Sequence, residues 1–391
     1  MTAAPMRLAM VAGETSGDLL ASSVLAGLSA RTGPEGLLAA GIGGPAMVRH
    51  GFDAWWPAER LAVRGYVEVL REYAALRAIR ARLRERLLEW RPEVFVGVDA
   101  PDFNLDLERQ LRGQGIRVAH FIGPSVWAWR PQRIERIRAS VDHMLLVFPF
   151  EQAIYDRAGI PATYVGHPLA DQIPNEVEPG AARRTLGLPA DRPVVAVMPG
   201  SRASEIRYNA PSFVDTIAWL ARRRPELVFV VPAATDALFA RLREIIGAAA
   251  LPEGIDCRLV HGRSHDAIAG ADAVLVASGT ATLEVALFRR PMVIAYRMAP
   301  LSYRIMRRMA MLPWIGLPNI LCNEAVVPEF VQDAATPPAM GAALLALLED
   351  TAGARRLGER FAQLHATLRR DCAERAAEAL LELRSRPVPM R

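Results

Sequence analysis

The chain has 391 residues, 51% of them hydrophobic and 23% charged. At roughly 150 residues per domain this predicts two or three globular domains and excludes a disordered chain or a coiled-coil rod. All 47 basic residues are arginine, against 42 acidic ones, for a net charge of +5, and the absence of lysine excludes a Walker A phosphate loop or a pyridoxal Schiff base.

Three cysteines, Cys257, Cys322 and Cys372, share no ligand spacing, so neither a zinc site nor a disulfide framework is expected, and a reducing cytoplasm is the default compartment. The run from Met6 to Ala12 meets Gly13-Glu14 too early for a secretory signal. No apolar run approaches the roughly 18 residues of a spanning helix, so any membrane contact is expected from the surface.

Short apolar, β-branched runs alternate with helical patterns along the whole chain, which predicts an α/β fold. The predicted strands are Leu8 to Ala12, Leu37 to Ile42, Val94 to Val98, Arg117 to Phe121 and His143 to Phe148. A second series follows at Val194 to Met198, Leu227 to Val231, Cys257 to Val260, Ala273 to Val276 and Met292 to Ala295. Between them, Gly166 to Gly180 is rich in Pro, Gly and acidic residues and reads as a linker. Two Rossmann-like doubly wound sheets facing a cleft follow, with a first domain over 1–168, joined by about 355–391, and a second over 169–354. The chain ends in a predicted helix from Thr351 to Arg384, which either folds back on the first domain or binds a second copy in a homodimer.

Ligands in such sheets bind on loops after strands. The first such loop, Gly13-Glu14-Thr15-Ser16-Gly17-Asp18, opens a helix whose free amides suit an anion, although Ser16 or Asp18 is equally an N-cap. Gly41-Ile42-Gly43-Gly44 is a weak match to a dinucleotide fingerprint, interrupted by Pro45 and following the second strand, so a tight turn is the simpler reading. Asp99 and Asp102 end the strand at Val98; Asp102 suits a helix N-cap, and Asp99 suits a general base that deprotonates an attacking hydroxyl. Pro124-Ser125-Val126-Trp127-Ala128-Trp129-Arg130 suits a wall beside a ligand or aromatic core packing. In the second half, Gly200-Ser201-Arg202 lets the backbone approach a phosphate that arginine can hold bidentately. Ser278-Gly279-Thr280-Ala281-Thr282-Leu283-Glu284 opens a helix with amides that can bind a diphosphate, while Glu284 can accept from a ribose diol. The seven histidines form no metal-ligand pattern, and His167, between Gly166 and Pro168, reads as structural.

These motifs, together with Gly166-His167-Pro168, Tyr296-Arg297-Met298 and Leu317-Pro318-Asn319, occur in one order between residues 7 and 332, and in that order the chain resembles the lipid-A-disaccharide synthases, GT-B-type glycosyltransferases. It departs from the family's pattern at Cys322-Asn323-Glu324. The resemblance implies transfer of 2,3-diacylglucosamine from its UDP derivative to the 6-hydroxyl of 2,3-diacylglucosamine 1-phosphate, with inversion, and no metal or other cofactor. It assigns Gly200, Ser201, Arg202, Ser278, Gly279, Thr280, Ala281, Thr282, Glu284, Tyr296 and Asn319 to the UDP donor. The acceptor and its lipid side fall to Ser16, Gly17, Asp18, Gly43, Gly44, Ser125, Trp127, Trp129 and Arg130. Asp99 is the expected base, with Glu14 and Asp102 as competitors.

Charge placement adds an independent expectation. Nine arginines and four glutamates lie between Arg60 and Arg91, interleaved with Leu61, Tyr66, Leu70, Ile79 and Leu83 and preceded by Trp55 and Trp56. Arg297 to Trp314 repeats the pattern with four arginines. Basic and apolar residues so mixed suit an interfacial helix on anionic lipid, here the cytoplasmic face of an inner membrane, although an ordinary core helix with a solvated arginine face has the same composition. Two other classes fit parts of the sequence. A nucleotide-sugar epimerase shares the two-sheet fold and a UDP site; a nucleic-acid-binding protein would use the arginines, but no such module is recognisable and nucleic acid is not an expected partner.

Overall fold

The computed structural model describes residues 4–13, 15–33, 35–58, 61 and 69–387. The chain divides into two compact units, Met1–Asp171 with Thr367–Arg391, and Gln172–Ala366.

In the first unit, strands β1 (Met6–Ala12), β2 (Leu37–Gly43), β3 (Asp53–Pro57), β4 (Val94–Val98), β5 (Arg117–Phe121), β6 (His143–Leu146) and β7 (Ala162–Tyr164) form one parallel sheet in the order β3-β2-β1-β4-β5-β6-β7. Its helices are α1 (Thr15–Thr32), α2 (Pro45–Val48), α3 (Val69–Trp90), α4 (Pro101–Arg112), α5 (Arg133–Ser140), α6 (Gln152–Arg157) and α7 (Pro168–Gln172), which ends at the unit boundary. Every residue of β4 is buried, as expected of a parallel strand covered by helices on both faces. Val11, Leu83, Leu87, Phe95, Leu105, Val118 and Met144 meet in its core.

The second unit begins with α8 (Pro179–Leu186). Its parallel sheet is built from β8 (Val194–Met198), β9 (Val228–Ala233), β10 (Asp256–His261), β11 (Ala273–Ala277), β12 (Met292–Tyr296) and β13 (Glu329–Val331), in the order β10-β9-β8-β11-β12-β13. Around it lie α9 (Ala203–Ala221), α10 (Asp236–Ala248), α11 (Ser264–Gly270), α12 (Thr280–Leu287), α13 (Pro300–Met309), α14 (Leu317–Cys322), α15 (Pro337–Glu349) and α16 (Thr351–Leu368), followed by α17 (Cys372–Ser385). Val195, Phe213, Phe229, Leu275, Val293 and Met340 fill the core.

The terminal helix differs from the expectation of one unbroken rod. It breaks between α16 and α17, where Asp371 takes a left-handed backbone (φ 54) and the Asp171 carboxylate accepts the amides of Arg370, Asp371 and Cys372 at 3.2, 3.1 and 2.7 Å. An acid at a helix start satisfies amides that have no partner within the helix. Beyond the break α17 lies along α1, with Arg31 Nε donating to Glu374 at 3.0 Å. Within the chain, α17 folds back on the first unit. The linker also differs, since Pro168–Gln172 and Pro179–Leu186 are helical.

The sheet orders locate the sites. In each sheet the order reverses once, between β1 and β4 in the first unit and between β8 and β11 in the second. Helices leave opposite faces there and open a crevice at the strands' carboxyl ends. The loops at Gly13, Asp99, Gly200 and Ser278 follow these four strands.

Candidate active site

In the first unit β4 delivers Asp99 with a left-handed backbone (φ 50), and Ala100 repeats it (φ 44) as the N-cap of α4. A non-glycine residue keeps this conformation only where its surroundings enforce it. Here the Asp99 amide donates to the Phe121 carbonyl at 2.9 Å, and Asn104 Nδ2 donates to the Asp99 carbonyl at 2.8 Å. Asp102 is not the N-cap. It lies in the first turn of α4 with its side chain 76% exposed, 2.9 Å from Arg133 and 3.9 Å from Arg136. Asp99 stays at the switch point, while Asp102 belongs to a solvated ion-pair network. Glu14 lies outside the described residues, as does the side chain of Ser16.

Asp18 departs from the expectation of a ligand contact. Its buried carboxylate accepts the amides of Gly44, Ala46 and Met47 at 2.9, 2.8 and 3.0 Å, so it caps α2 and ties the Gly43-Gly44 turn to α1. The turn reading of Gly43-Gly44 agrees with this geometry. Trp127 is half-buried. Its indole donates to Glu151 at 3.2 Å and packs edge-on against Phe150 and Phe148, with centroids 5.1 and 6.2 Å away. Burial pushes the Glu151 carboxyl up to about 7 despite hydrogen bonds from the Phe148 amide and the Trp127 indole. Trp129 lies under two cations, with Arg130 and Arg133 4.5 and 5.5 Å from its ring centre, and Ser125 receives the Ala128 and Trp129 amides on its carbonyl. The loop thus combines a packed indole at Trp127 with a cation-covered one at Trp129.

In the second unit Gly200 has φ 136, and Glu205 folds back beneath it to accept the amides of Ser201 and Arg202 at 2.8 and 3.2 Å. Those two amides are thus engaged within the loop, and the exposed Arg202 side chain is what the loop offers an anion. After β11, Gly279 (φ 147) precedes α12, whose first residue, Thr280, is exposed. Ser278 and Thr282 act inside the scaffold. Ser278 Oγ donates to the Ile315 carbonyl at 2.7 Å, while Thr282 Oγ1 donates to the Gly279 carbonyl at 2.8 Å and accepts the Leu317 amide at 3.3 Å. Asn319 is also structural: it is fully buried and exchanges hydrogen bonds with Val327 in both directions. Glu284 stands half-buried on α12, 3.5 Å from His265 Nε2, and its hydrogen bond raises the His265 pKa against desolvation. Tyr296 closes β12.

Three further residues carry no direct sign in the sequence. His120 lies near the end of β5, Glu108 faces it from α4 at 2.6 Å, and both are fully buried. Glu108 follows Asn104 at i+4 and so shares its helix face, a charge on a side that otherwise carries leucine; that mismatch was the available signal. Glu329 is the third, joining Asn319 to the loop before α14. Among the described residues no group of three His, Cys, Asp or Glu side chains is placed to hold a metal ion, and no helix is long and apolar enough to cross a membrane.

Two parallel α/β units, each with loops gathered at its switch point, make this a GT-B-type fold, the architecture that glycosyltransferases share with UDP-sugar epimerases. A UDP-GlcNAc 2-epimerase from Neisseria meningitidis, bound to UDP-GlcNAc, superposes with a TM-score of 0.63 at 12% identity, covering 96% of this chain and 99% of that one. A UDP-forming α,α-trehalose-phosphate synthase from Burkholderia vietnamiensis gives 0.60 at 13% identity, with 97% of each chain covered. At the level of sequence, the family model for lipid-A-disaccharide synthetase matches residues 8–380. A lipid-A-disaccharide synthase of Azoarcus sp. (strain BH72) is 53% identical over 378 residues, 96% of this chain and 95% of that protein, and one of Burkholderia vietnamiensis (strain G4) is 51% identical, over 97% and 96%. The chain belongs to the lipid-A-disaccharide synthase family, and it is a glycosyltransferase of lipid A biosynthesis.

Proposed function

We propose that the enzyme transfers 2,3-diacylglucosamine from UDP-2,3-diacylglucosamine to the 6-hydroxyl of 2,3-diacylglucosamine 1-phosphate in one inverting step, with Asp99 as the base. The acceptor hydroxyl gives its proton to the Asp99 carboxylate as its oxygen bonds to the donor's anomeric carbon. The anomeric carbon–oxygen bond breaks on the opposite face, and its electron pair leaves with the β-phosphate of UDP. A single displacement needs one base and no covalent intermediate. The observation that carries this reading is the strained strand end: of Asp99 and Asp102, only Asp99 is held by the fold at the switch point. Arg202 and the start of α12 supply the donor's diphosphate with positive potential, and Glu284 takes the ribose diol. The Trp127–Arg130 loop offers the acceptor an aromatic and cationic wall.

The enzyme works on amphiphiles, and α13 suits that setting. None of its residues is buried; Leu301, Ile305 and Met306 are 69, 51 and 48% exposed beside Arg304, Arg307 and Arg308. We assign this face to the surface of an anionic membrane, with the enzyme bound peripherally on the cytoplasmic side. The first basic stretch divides differently. Leu83 and Leu87 are core residues, and Trp55 and Trp56 pack on that core, with Arg86 4.1 Å over the Trp55 ring. Residues 62–68 lie outside the described residues.

Asp99→Asn tests the mechanism. Incubated with both substrates and assayed by mass for the disaccharide, the variant should lose at least about a hundredfold in turnover while binding UDP as before. Near-normal turnover would dismiss Asp99, and an epimerised sugar in place of the disaccharide would point to the epimerase chemistry of the structural neighbours.

A further inference from the structure

Behind Asp99 stand three buried side chains that the reaction as described does not use. Asn104 and Glu108 lie one turn apart on α4, and together with His120 on β5 they are fully buried, with no exposed surface. Glu108 Oε1 lies 2.6 Å from His120 Nδ1, and Asn104 Nδ2 reaches the carbonyls of Asp99 and Val98 at 2.8 and 3.4 Å. The space for them exists because residue 97 is glycine. A Cβ there would come within 2.0 Å of Glu108 Oε1 and 3.0 Å of Asn104 Cβ, and Gly97 is the residue paired with His120 across β4 and β5. The cluster therefore runs as one column from His120, through Glu108 and Asn104, to the backbone of Asp99.

This column is costly to keep. Asn104 Oδ1 and Glu108 Oε2 have no hydrogen-bond partner, and apolar side chains would fill the same volume without desolvating a carboxyl and an imidazole. Backbone strain gathers above it, at Asp99, Ala100 and Ile122 (φ 50, 44 and 65). Backbone strain clusters at functional sites, and buried unsatisfied groups beneath it call for a reason other than packing. Desolvation alone would pull the His120 pKa down. The charge and hydrogen bond of Glu108, then the charge of Asp99 and the Ile122 carbonyl, outweigh it, so the imidazole is raised; burial likewise raises Glu108. Asp99 is the further charged group that faces the pair.

We propose that Glu108 and His120 are positioning residues for Asp99: together with Asn104 they fix the strand end and set the imidazole behind the carboxylate. The proposal rests on the reading of Asp99 as the base. The pair makes no contact with substrate, so its effect falls on turnover and on the pH at which turnover fails, not on substrate affinity.

The test uses the full chain and both substrates. His120→Gln and Glu108→Gln should each lower kcat about tenfold or more with KM for the acceptor within about twofold, and His120→Gln should in addition move the acidic limb of the kcat profile up by about half a pH unit, because the imidazole whose charge favours the carboxylate is gone. Unchanged kcat and an unchanged limb in a folded variant overturn the proposal. Since emptying a buried pair can prevent folding, a second measurement uses wild type and Asp99→Asn, labelled with nitrogen-15 in histidine. The His120 titration should shift down by about half a unit in Asp99→Asn, since coupling between two charges is reciprocal. Identical His120 titrations overturn the proposal whatever the kinetics show. Normal turnover of Asp99→Asn removes the base assignment instead and leaves the coupling to be judged by that titration alone.

Discussion

Asn319 Nδ2 donates to Glu329 Oε1 at 2.8 Å, and the same carboxylate accepts the amides of Ile315 and Gly316 at 2.8 and 2.9 Å. Because Ile315 and Leu317 in turn bond Ser278 and Thr282, the pair holds the loop that opens α12 from below. In the proposed donor site Asn319 acts through this scaffold. Asn319→Ala should therefore cost about 3 kcal/mol in urea unfolding, since it strands the buried Val327 amide and carbonyl and takes one of three donors from the Glu329 carboxylate, and should weaken UDP binding as a consequence. A variant of native stability that has lost only UDP affinity would return Asn319 to direct contact with the nucleotide.

Gly200 yields a second prediction. At φ 136 a side chain is strained, and a Cβ would stand 2.4 Å from Glu205 Cβ. Gly200→Ala must push Glu205 aside and free the Ser201 and Arg202 amides from it. We expect a loss of about 2 kcal/mol in stability and a fall of about tenfold in UDP affinity, read by thermal unfolding with and without UDP. Full protection by UDP would show that Arg202 does not depend on the loop's shape.

These two residues show what could be read ahead of the structure. Val94–Val98, Arg117–Phe121 and Val194–Met198 were legible to the residue, because central parallel strands are largely apolar and bounded by polar turns. Asp53–Pro57, Ala162–Tyr164 and Glu329–Val331 were not; all three are short edge strands, half-buried for the most part and without a clean period. The loops carrying Asp99, Arg202 and Ser278 could be placed at strand ends, but not the division of labour inside them. Asp18 and Asn319 belong to motifs and yet serve the backbone, because a polar side chain in a motif either binds a ligand or holds the loop that does, and spacing is the same for both. Glu108 and His120 were hidden for a related reason: their meeting depends on a helix returning over its own strand.

The stability of the first unit should depend on pH through His167. Burial holds its pKa down to about 4, and its Nδ1 accepts the Leu169 amide at 3.2 Å, which an imidazolium cannot do. An unfolded imidazole titrates near 6.5, so between these values the unfolded chain binds the extra proton and stability falls as pH drops, by roughly 3 kcal/mol at the lower end. Glu151, raised to about 7, acts with the opposite sign, because there the folded chain holds the proton as pH rises from its unfolded value. Denaturation of wild type and His167→Asn at pH 7 and pH 5 separates them: the gap between the two proteins should narrow at pH 5, and a constant gap would rule the imidazole out.

Membrane contact is tested on α13. Leu301→Asp with Ile305→Asp changes two exposed side chains, so folding should be unaffected, and cosedimentation with anionic vesicles at low ionic strength should fall at least about fivefold. Wild-type binding should weaken as salt rises past about 0.15 M, where charges separated by more than roughly 8 Å are screened. Equal sedimentation of variant and wild type would move the contact to another surface.

The first unit is assembled from both ends of the polypeptide, with α17 lying along α1. During synthesis α1 leaves the ribosome long before the helix that covers it, and its apolar side must wait while the whole second unit is made. The second unit, continuous in sequence, has no such delay. Loss of a few dozen residues at the carboxyl end would therefore damage the half of the enzyme that is translated first.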